Sequence, residues 1–286
     1  MKGWLVVNGF LQSNKFDELY AFLGRAAASL GIELRKKTST ELFGCVDEPL
    51  VDKPDFVLFW DKDYALAKRL ENAGLRLFNS AEGIRLADDK TLTALALSGK
   101  VKTPKTMLAP MTFEGVGYTD LSFLARAERE LGYPMVVKEA CGSFGRQVYL
   151  VYSKDELQKL VAGFGHKAFL LQEYIACSSG RDLRVNVVGG RVLCGMLREN
   201  DHDFRSNVTG GGKPRAYTPT SAQADAALTA CKALGLDFAG VDVLFGEGGE
   251  PLVCEVNSNP HFRSTYDCTG VDMSVEILRY IQEQLA

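Results

Sequence analysis

The chain has 286 residues, 46% of them hydrophobic and 24% charged, and 33 Lys+Arg stand against 36 Asp+Glu for a net charge of −3. These proportions exclude a disordered or fibrous chain, and the length allows a sizeable core in two domains or in one large one with subdomains. The near balance of charge argues against nucleic acid or an anionic membrane surface as the main partner.

The seven cysteines are odd in number and contain no CxxC pair. That argues against a disulfide framework and a structural zinc site, and it reads as a cytoplasmic protein with reduced thiols. No run approaches the ~18 apolar residues of a membrane span. The N-terminal MKGWLVVNGF stretch, followed at once by Gln12-Ser13-Asn14-Lys15, is too short for a signal peptide.

In chain order, residues 3–10 form an apolar run that predicts a buried strand, and apolar spacing over 14–30 predicts a helix closed by Gly31. Strands are expected over 32–37, 56–60 and 75–78, with a helix over 64–73. Alternation of strand and helix across the first 80 residues argues for a small parallel sheet. One helix is expected over 81–98, capped by Ser80, then a strand over 105–108 between two prolines and a helix over 121–131.

Strand 135–138 leads into the loop Gly142-Ser143-Phe144-Gly145, and a second strand follows through Val151. A helix over 154–164 and strands over 169–175, 183–188 and 192–197 come next. Residues 199–217 read as a polar, glycine-rich loop and 222–234 as a helix. Strands 239–245 and 252–256 pair across Gly246–Gly249, and a helix over 271–284 closes the chain. The later part is richer in antiparallel pairs, so the fold class is a small parallel α/β unit followed by α+β units.

Four groups of residues can carry chemistry. Asp242 lies inside one apolar strand and Glu255 and Asn257, two apart, inside the next. Adjacent strands bring such residues to one face, and carboxylates there are costly unless paired or bound to metal. Two carboxylates and an amide suit Mg²⁺ shared with phosphate; pairing to Arg fits the same pattern. Lys138 on an apolar strand beside the glycine loop suits phosphate, as does an ordinary strand end beside a hairpin turn. Glu173-Tyr174-Ile175 and Asp182 could meet a base and a ribose, or form a plain strand. Arg198, Arg205-Ser206-Asn207 and Gly210–Gly212 could close over an anion, or form a solvated loop.

Taken together, VVKEACGSFGRQV, LQEYI, GRDLRV, FRSN, AGVDVL and CEVNSNP in this order resemble the ATP-grasp superfamily, and most closely its RimK-type amino-acid ligases. The resemblance runs from about residue 88 to the end. It implies a pre-ATP-grasp α/β domain over 1–88, a small ATP-grasp subdomain over 89–168 and a C-terminal subdomain over 169–286 that holds the metal.

By the same resemblance Lys90, Lys138, Ser143 and Gly145 would serve the phosphates of ATP. Glu173, Tyr174 and Ile175 would meet adenine, and Asp182 the ribose. Arg205, Ser206 and Asn207 would line the phosphate end, with Arg198, Arg205 and Asn207 acting in catalysis. Asp242, Glu255 and Asn257 would hold two Mg²⁺ ions, for which Mn²⁺ can substitute.

The implied reaction is ADP-forming joining of an amino acid, first of all L-glutamate, to a carboxylate of a peptide, protein or small acid. The alternatives are another amino acid, a side-chain carboxylate of a ribosomal peptide, or a non-catalytic ATP-binding module; the intact metal set speaks against the last. A homo-oligomer is compatible with all of them. One departure stands out: His261-Phe262-Arg263 follow Asn259-Pro260, where RimK-type enzymes commonly carry small residues. Together with Arg198 and Asn207, Arg263 is therefore a candidate for a substrate carboxylate, held in a bidentate fork.

Overall fold

The computed structural model describes residues 1–11, 13–143 and 145–286. Phe144, read above as part of the glycine loop, and Gln12 lie outside the described residues. The N-terminal part contains β1 (Lys2–Val7), α1 (Asn14–Ser29), β2 (Glu33–Thr38), β3 (Phe56–Trp60), α2 (Tyr64–Asn72), β4 (Leu77–Phe78), α3 (Ala81–Asp88) and α4 (Lys90–Leu97). The middle part contains β5 (Thr106–Leu108), α5 (Leu124–Leu131), β6 (Met135–Glu139), β7 (Val148–Val151), α6 (Lys154–Ala162) and β8 (Phe169–Glu173). The last part contains β9 (Arg181–Val188), β10 (Arg191–Glu199), β11 (Lys213–Tyr217), α7 (Ser221–Leu234), β12 (Phe238–Phe245), β13 (Pro251–Asn257), α8 (Arg263–Thr269) and α9 (Met273–Leu285).

Three sheets organise these elements. The first is parallel in the order β2-β1-β3-β4. The second is antiparallel, β5-β8-β6-β7, and the third is antiparallel, β11-β10-β9-β12-β13. The mixed α/β plan expected from the sequence is what is found. The border at residue 169 is not where the sheets divide: β8 pairs with both β5 and β6, so it completes the middle sheet.

The expected helix over 81–98 is two helices. Asp89 is extended (φ −99°, ψ 112°), and its carboxylate accepts from the Thr91 and Leu92 amides to cap α4. The Lys90 amide turns instead to the Ala140 carbonyl at 2.8 Å, which brings the start of α4 to the glycine loop.

The units share core. Residues from β1, β3, α1, α9 and Phe238 of β12 form one apolar cluster, and Trp60 stacks on Phe238 at 5.5 Å. Asn79 is fully buried, yet its amide reaches the Phe238 and Ser258 carbonyls and its carbonyl accepts from the Asp237 and Phe238 amides. A buried amide with all these bonds made fixes the first sheet against the third. Among the described residues no helix is long and apolar enough to cross a membrane.

Candidate active site

Side-chain alternation on the third sheet builds the floor of the site. Leu183, Val185 and Val187 of β9 turn to a core with α7, so Asp182, Arg184 and Asn186 occupy the other face. The register sets Arg184 opposite Asp242, Asp242 opposite Glu255, and Arg198 opposite Asp182. Arg184 forks onto Asp242 through Nε and Nη2, both at 2.7 Å. Arg198 is buried, donates to both oxygens of Asp182 and also reaches Asp242 at 2.9 Å.

Burial alone would raise the Asp242 pKa, but Arg184 and Arg198 outweigh it and hold the carboxyl down to about 2. Burial alone would lower the Arg198 pKa, and Asp182 and Asp242 raise it instead. Both alternatives left open for Asp242 thus apply at once: it is ion-paired and it stands beside the other acid of the candidate metal set.

Glu255 differs. It makes no hydrogen bond or ion pair with the described residues. The Asn257 amide nitrogen is 3.3 Å from the Gly240 carbonyl, so its carbonyl oxygen is left to accept from elsewhere. Among the described residues no three His, Cys, Asp or Glu side chains form a ready metal set. The donors at hand are Glu255, the Asn257 carbonyl and the remaining lone pairs of Asp242. This hard, oxygen-only set suits Mg²⁺ that completes its shell with phosphate and water.

Two cavities meet at Glu255. The smaller, about 20 Å³, lies between the second and third sheets and is lined by Lys90, Lys138, Gln172, Cys254 and Glu255 among others. Lys138 is buried, and its Nζ donates to Cys254 Sγ at 3.3 Å; burial pushes the Cys254 thiol up, so it stays neutral. Lys90 Nζ donates to the Gly142 carbonyl at 3.0 Å. The glycine loop and the Arg205 segment are joined, since Arg205 Nη1 donates to the Gly145 carbonyl at 2.9 Å. A Cβ at Gly145, where φ is +71°, would come 2.7 Å from Asn207 Oδ1, so the close approach of these segments requires glycine. Ser143 Oγ accepts from Lys62 at 3.1 Å.

The larger cavity, about 540 Å³, is walled by Asn8, Lys15 and Asp61 from the first unit, by Lys90 and Ser143, and by Arg184, Arg198, Asn207, Glu255 and Asn257. That volume is in the range of sites for small molecules. Asp61 is buried at its wall and accepts from Asn8 and the Lys62 amide; desolvation nevertheless raises its pKa.

The structure brings Lys90, Lys138, Ser143, Gly145, Asn207, Asp242, Glu255 and Asn257 around this junction. Buried Ser206 sits in the same loop, beneath Gly212. Glu173 binds back to the Lys105 amide at 2.6 Å, and Tyr174 leans on Phe204 with ring centres 6.5 Å apart; Ile175 leads into a short 3-10 turn. Both Asp182 oxygens are taken by Arg198.

Arg263 is not brought to the site. Its Nε donates to both oxygens of Asp267, its Nη1 reaches Glu18 and its side chain is 42% exposed, because α8 turns it along the outer helix surface. Arg263→Lys is accordingly expected to leave every KM within about twofold of wild type in steady-state assays. Arg184 carried a signal that alternation with Asp182 could have revealed. Lys15 carried none, since it comes alone from a separate segment, whereas His261 was marked by the departure after Asn259-Pro260.

Lys138→Ala should weaken ATP binding by about ten- to a hundredfold, the worth of a charge-assisted bond to phosphate. AMP, which lacks the outer phosphates, should bind within about threefold of wild type in parallel titrations.

A family model described as a RimK-like ATP-grasp domain matches residues 87–281. The chain is 31% identical over 266 residues to the uncharacterised protein MG012 of Mycoplasma genitalium, covering 91% of this chain and 92% of that one. It is 32% identical over 258 residues to N-acetylaspartylglutamate synthase A of Homo sapiens, covering 90% of this chain and 64% of the human protein. The crystal structure of the D-cycloserine synthetase DcsG superimposes over all of both chains with a TM-score of 0.76 at 18% identity, a likeness of fold. The chain belongs to the RimK-like ATP-grasp family of ADP-forming carbon–nitrogen ligases.

Proposed function

We propose that the protein activates a substrate carboxylate as an acyl phosphate at the expense of ATP and joins it to an amino acid, L-glutamate first of all. The carrying observation is Glu255. Its side chain has no hydrogen-bonded or ionic partner among the described residues, and it lines both the slot holding Lys90 and Lys138 and the 540 Å³ cavity. The name of the human relative supports glutamate as the amine.

In this reading a carboxylate oxygen attacks the terminal phosphorus, the bond to the bridging oxygen breaks, and ADP leaves. The amine nitrogen then attacks the carbonyl carbon, phosphate leaves, and the nitrogen loses its proton. Lys90 and Lys138 hold phosphate oxygens, and the Glu173–Ile175 strand end meets adenine. Arg205 and Asn207 keep the glycine loop against the reacting end. Asp182 acts by holding Arg198 in place, not by touching ribose. Mg²⁺ held by Asp242, Glu255 and Asn257 would draw off charge from the phosphoryl group in transit.

The test is ADP and phosphate release with a panel of amino acids against a panel of carboxylic acids. Release that requires one member of each, with L-glutamate among the active amines, is expected. Release of ADP with water as the only acceptor, across the whole panel, contradicts the reading.

A further inference from the structure

We propose that Asp61 receives the ammonium group of the incoming amine and takes a proton from it before the nitrogen attacks the acyl phosphate. The proposal rests on the ligase reading and gives a residue to its proton step.

Topology places Asp61. The first sheet has the order β2-β1-β3-β4, so the chain leaves β1 for β2 on one side and returns as β3 on the other. Open sheets take ligands outside the carboxyl ends of the strands where the order reverses in this way. Val7 pairs with Trp60 at those ends, and Asn8 and Asp61 are the next residues along the two chains. Both line the large cavity.

The acids lining that cavity among the described residues are Asp61, Asp88 and Glu255. Glu255 belongs to the candidate metal set, and Asp88 is paired with Lys62. Asp61 is buried and forms no ion pair with the described residues. Its hydrogen bonds come from neutral donors: Asn8 Nδ2 reaches Oδ1 and Oδ2 at 3.3 and 3.2 Å, and the Lys62 amide donates to Oδ1 at 2.7 Å. Oδ2 therefore keeps lone pairs to offer. A desolvated carboxylate without a counter-charge is costly until a cation joins it. Desolvation first, with the charge of Asp63 behind it, also raises the Asp61 pKa; the Lys62 and Asp63 amides and Asn8 offset this only in part. The group is thereby a better proton acceptor than an ordinary carboxylate.

Asn259 adds a second acceptor. It lines the same cavity, its Nδ2 donates to the Asp61 carbonyl oxygen at 3.0 Å, and its Oδ1 has no hydrogen-bond partner among the described residues. A carboxylate and a spare amide oxygen suit an ammonium group, which only donates. Asn259 also ties Asp61 to the metal end, since it stands two residues beyond Asn257, at most roughly 7 Å of chain. Asn8 is a positioning residue: its Oδ1 accepts from the Phe10 amide at 3.0 Å, which fixes the side chain that holds Asp61.

The amine arrives as R–NH₃⁺, and Asp61 takes one proton to leave R–NH₂ with a free electron pair. That pair attacks the carbonyl carbon of the acyl phosphate, the carbon–oxygen bond to phosphate breaks, and phosphate leaves with the bonding electrons. The second nitrogen proton passes to the departing phosphate, which is released as hydrogen phosphate. Asp61 returns its proton to water as the amide leaves.

The test compares full-length wild type with Asp61→Asn, which keeps the size of the side chain and an acceptor for the Lys62 amide. Hydroxylamine is uncharged near neutral pH, so it traps the acyl phosphate as a hydroxamate without help from a base. With the acid and the amine identified from the panel, Asp61→Asn should form amide about a hundredfold or more slowly. Its hydroxamate formation should stay within about threefold of wild type. Amide formation at the wild-type rate overturns the assignment. So does an equal loss of hydroxamate in a variant that melts like wild type, which would put Asp61 in the ATP half of the reaction.

A titration of wild type decides the matter if Asp61→Asn does not fold. With Mg²⁺ and a non-hydrolysable ATP analogue present, the active amine should bind about tenfold or more tightly than its counterpart without the amino group, glutarate in the case of L-glutamate. Equal binding by wild type overturns the ammonium site. If wild type yields neither ADP nor hydroxamate with any acid, the ligase reading fails. A preference for L-glutamate over glutarate that is present in wild type and lost in Asp61→Asn would then still assign the ammonium group to Asp61, and its absence would overturn both.

Discussion

Glu255→Gln should lower ADP formation by roughly a thousandfold, equivalent to about 4 kcal/mol of charge stabilisation in the transition state, while leaving the melting temperature unchanged. The reason lies in its surroundings: Glu255 has no hydrogen-bonded or ionic partner among the described residues to lose. Asp242→Asn should lose activity to the same degree but also lose stability. Asp242 is fully buried between two guanidinium groups, and a neutral amide leaves both under-compensated. The two variants, equivalent on sequence grounds, therefore separate when activity and thermal unfolding are measured side by side. Wild-type turnover in Glu255→Gln at ordinary Mg²⁺ would remove the carboxylate from the metal set.

Arg198→Met should destabilise the protein by about 3–5 kcal/mol, because it strips the shared counter-ion from Asp182 and Asp242 and leaves Asp182 buried with no ionic partner among the described residues, while Asp242 keeps Arg184. The acid limb of stability should change with it. In the native protein the Asp242 pKa of about 2 lies below the ordinary carboxylate range. A group lowered on folding contributes fully above its unfolded pKa of about 3.9 and loses its contribution as pH falls toward the folded value. Wild type should therefore lose stability between about pH 4 and pH 2, and Arg198→Met should lack at neutral pH the part of that increment that Arg198 supplies, Arg184 supplying the rest. Denaturant titrations of both proteins across this range are the check; coincident curves would show that Arg198 carries no such load.

Strands β3, β12 and β13 could be read from the sequence because each is an apolar run bounded by turn residues, and hydrophobic burial on both faces or one leaves that trace. Strand β11 was hidden within the expected loop: Lys213–Tyr217 is a polar edge strand with a single neighbour, so its sequence records little burial. Helix α8 has seven residues and buries only Thr265, too short a stretch for a periodic signal. The break at Asp89 is a capping choice between two helical runs, visible only once the Lys90 amide is seen on Ala140.

The site divides the same way. Asp242, Glu255 and Lys138 stood out because charge inside apolar strands is costly and therefore conspicuous. The pairing of Arg184 and Arg198 with the acids depends on register across three strands, which a one-dimensional pattern does not hold. Arg263 misled for the converse reason. Its neighbours in sequence border the cavity, but the helix that starts there turns it to Asp267.

The central claim, carboxyl activation by phosphoryl transfer, is tested most directly by oxygen-18. The acid identified from the panel is supplied with both carboxylate oxygens labelled, together with ATP and the amine, and the products are weighed by mass spectrometry. Attack of the carboxylate on the terminal phosphorus predicts one labelled oxygen in the released phosphate, one retained in the amide, and none in the nucleotide. Label in AMP, or unlabelled phosphate released with ligated product, would contradict the account.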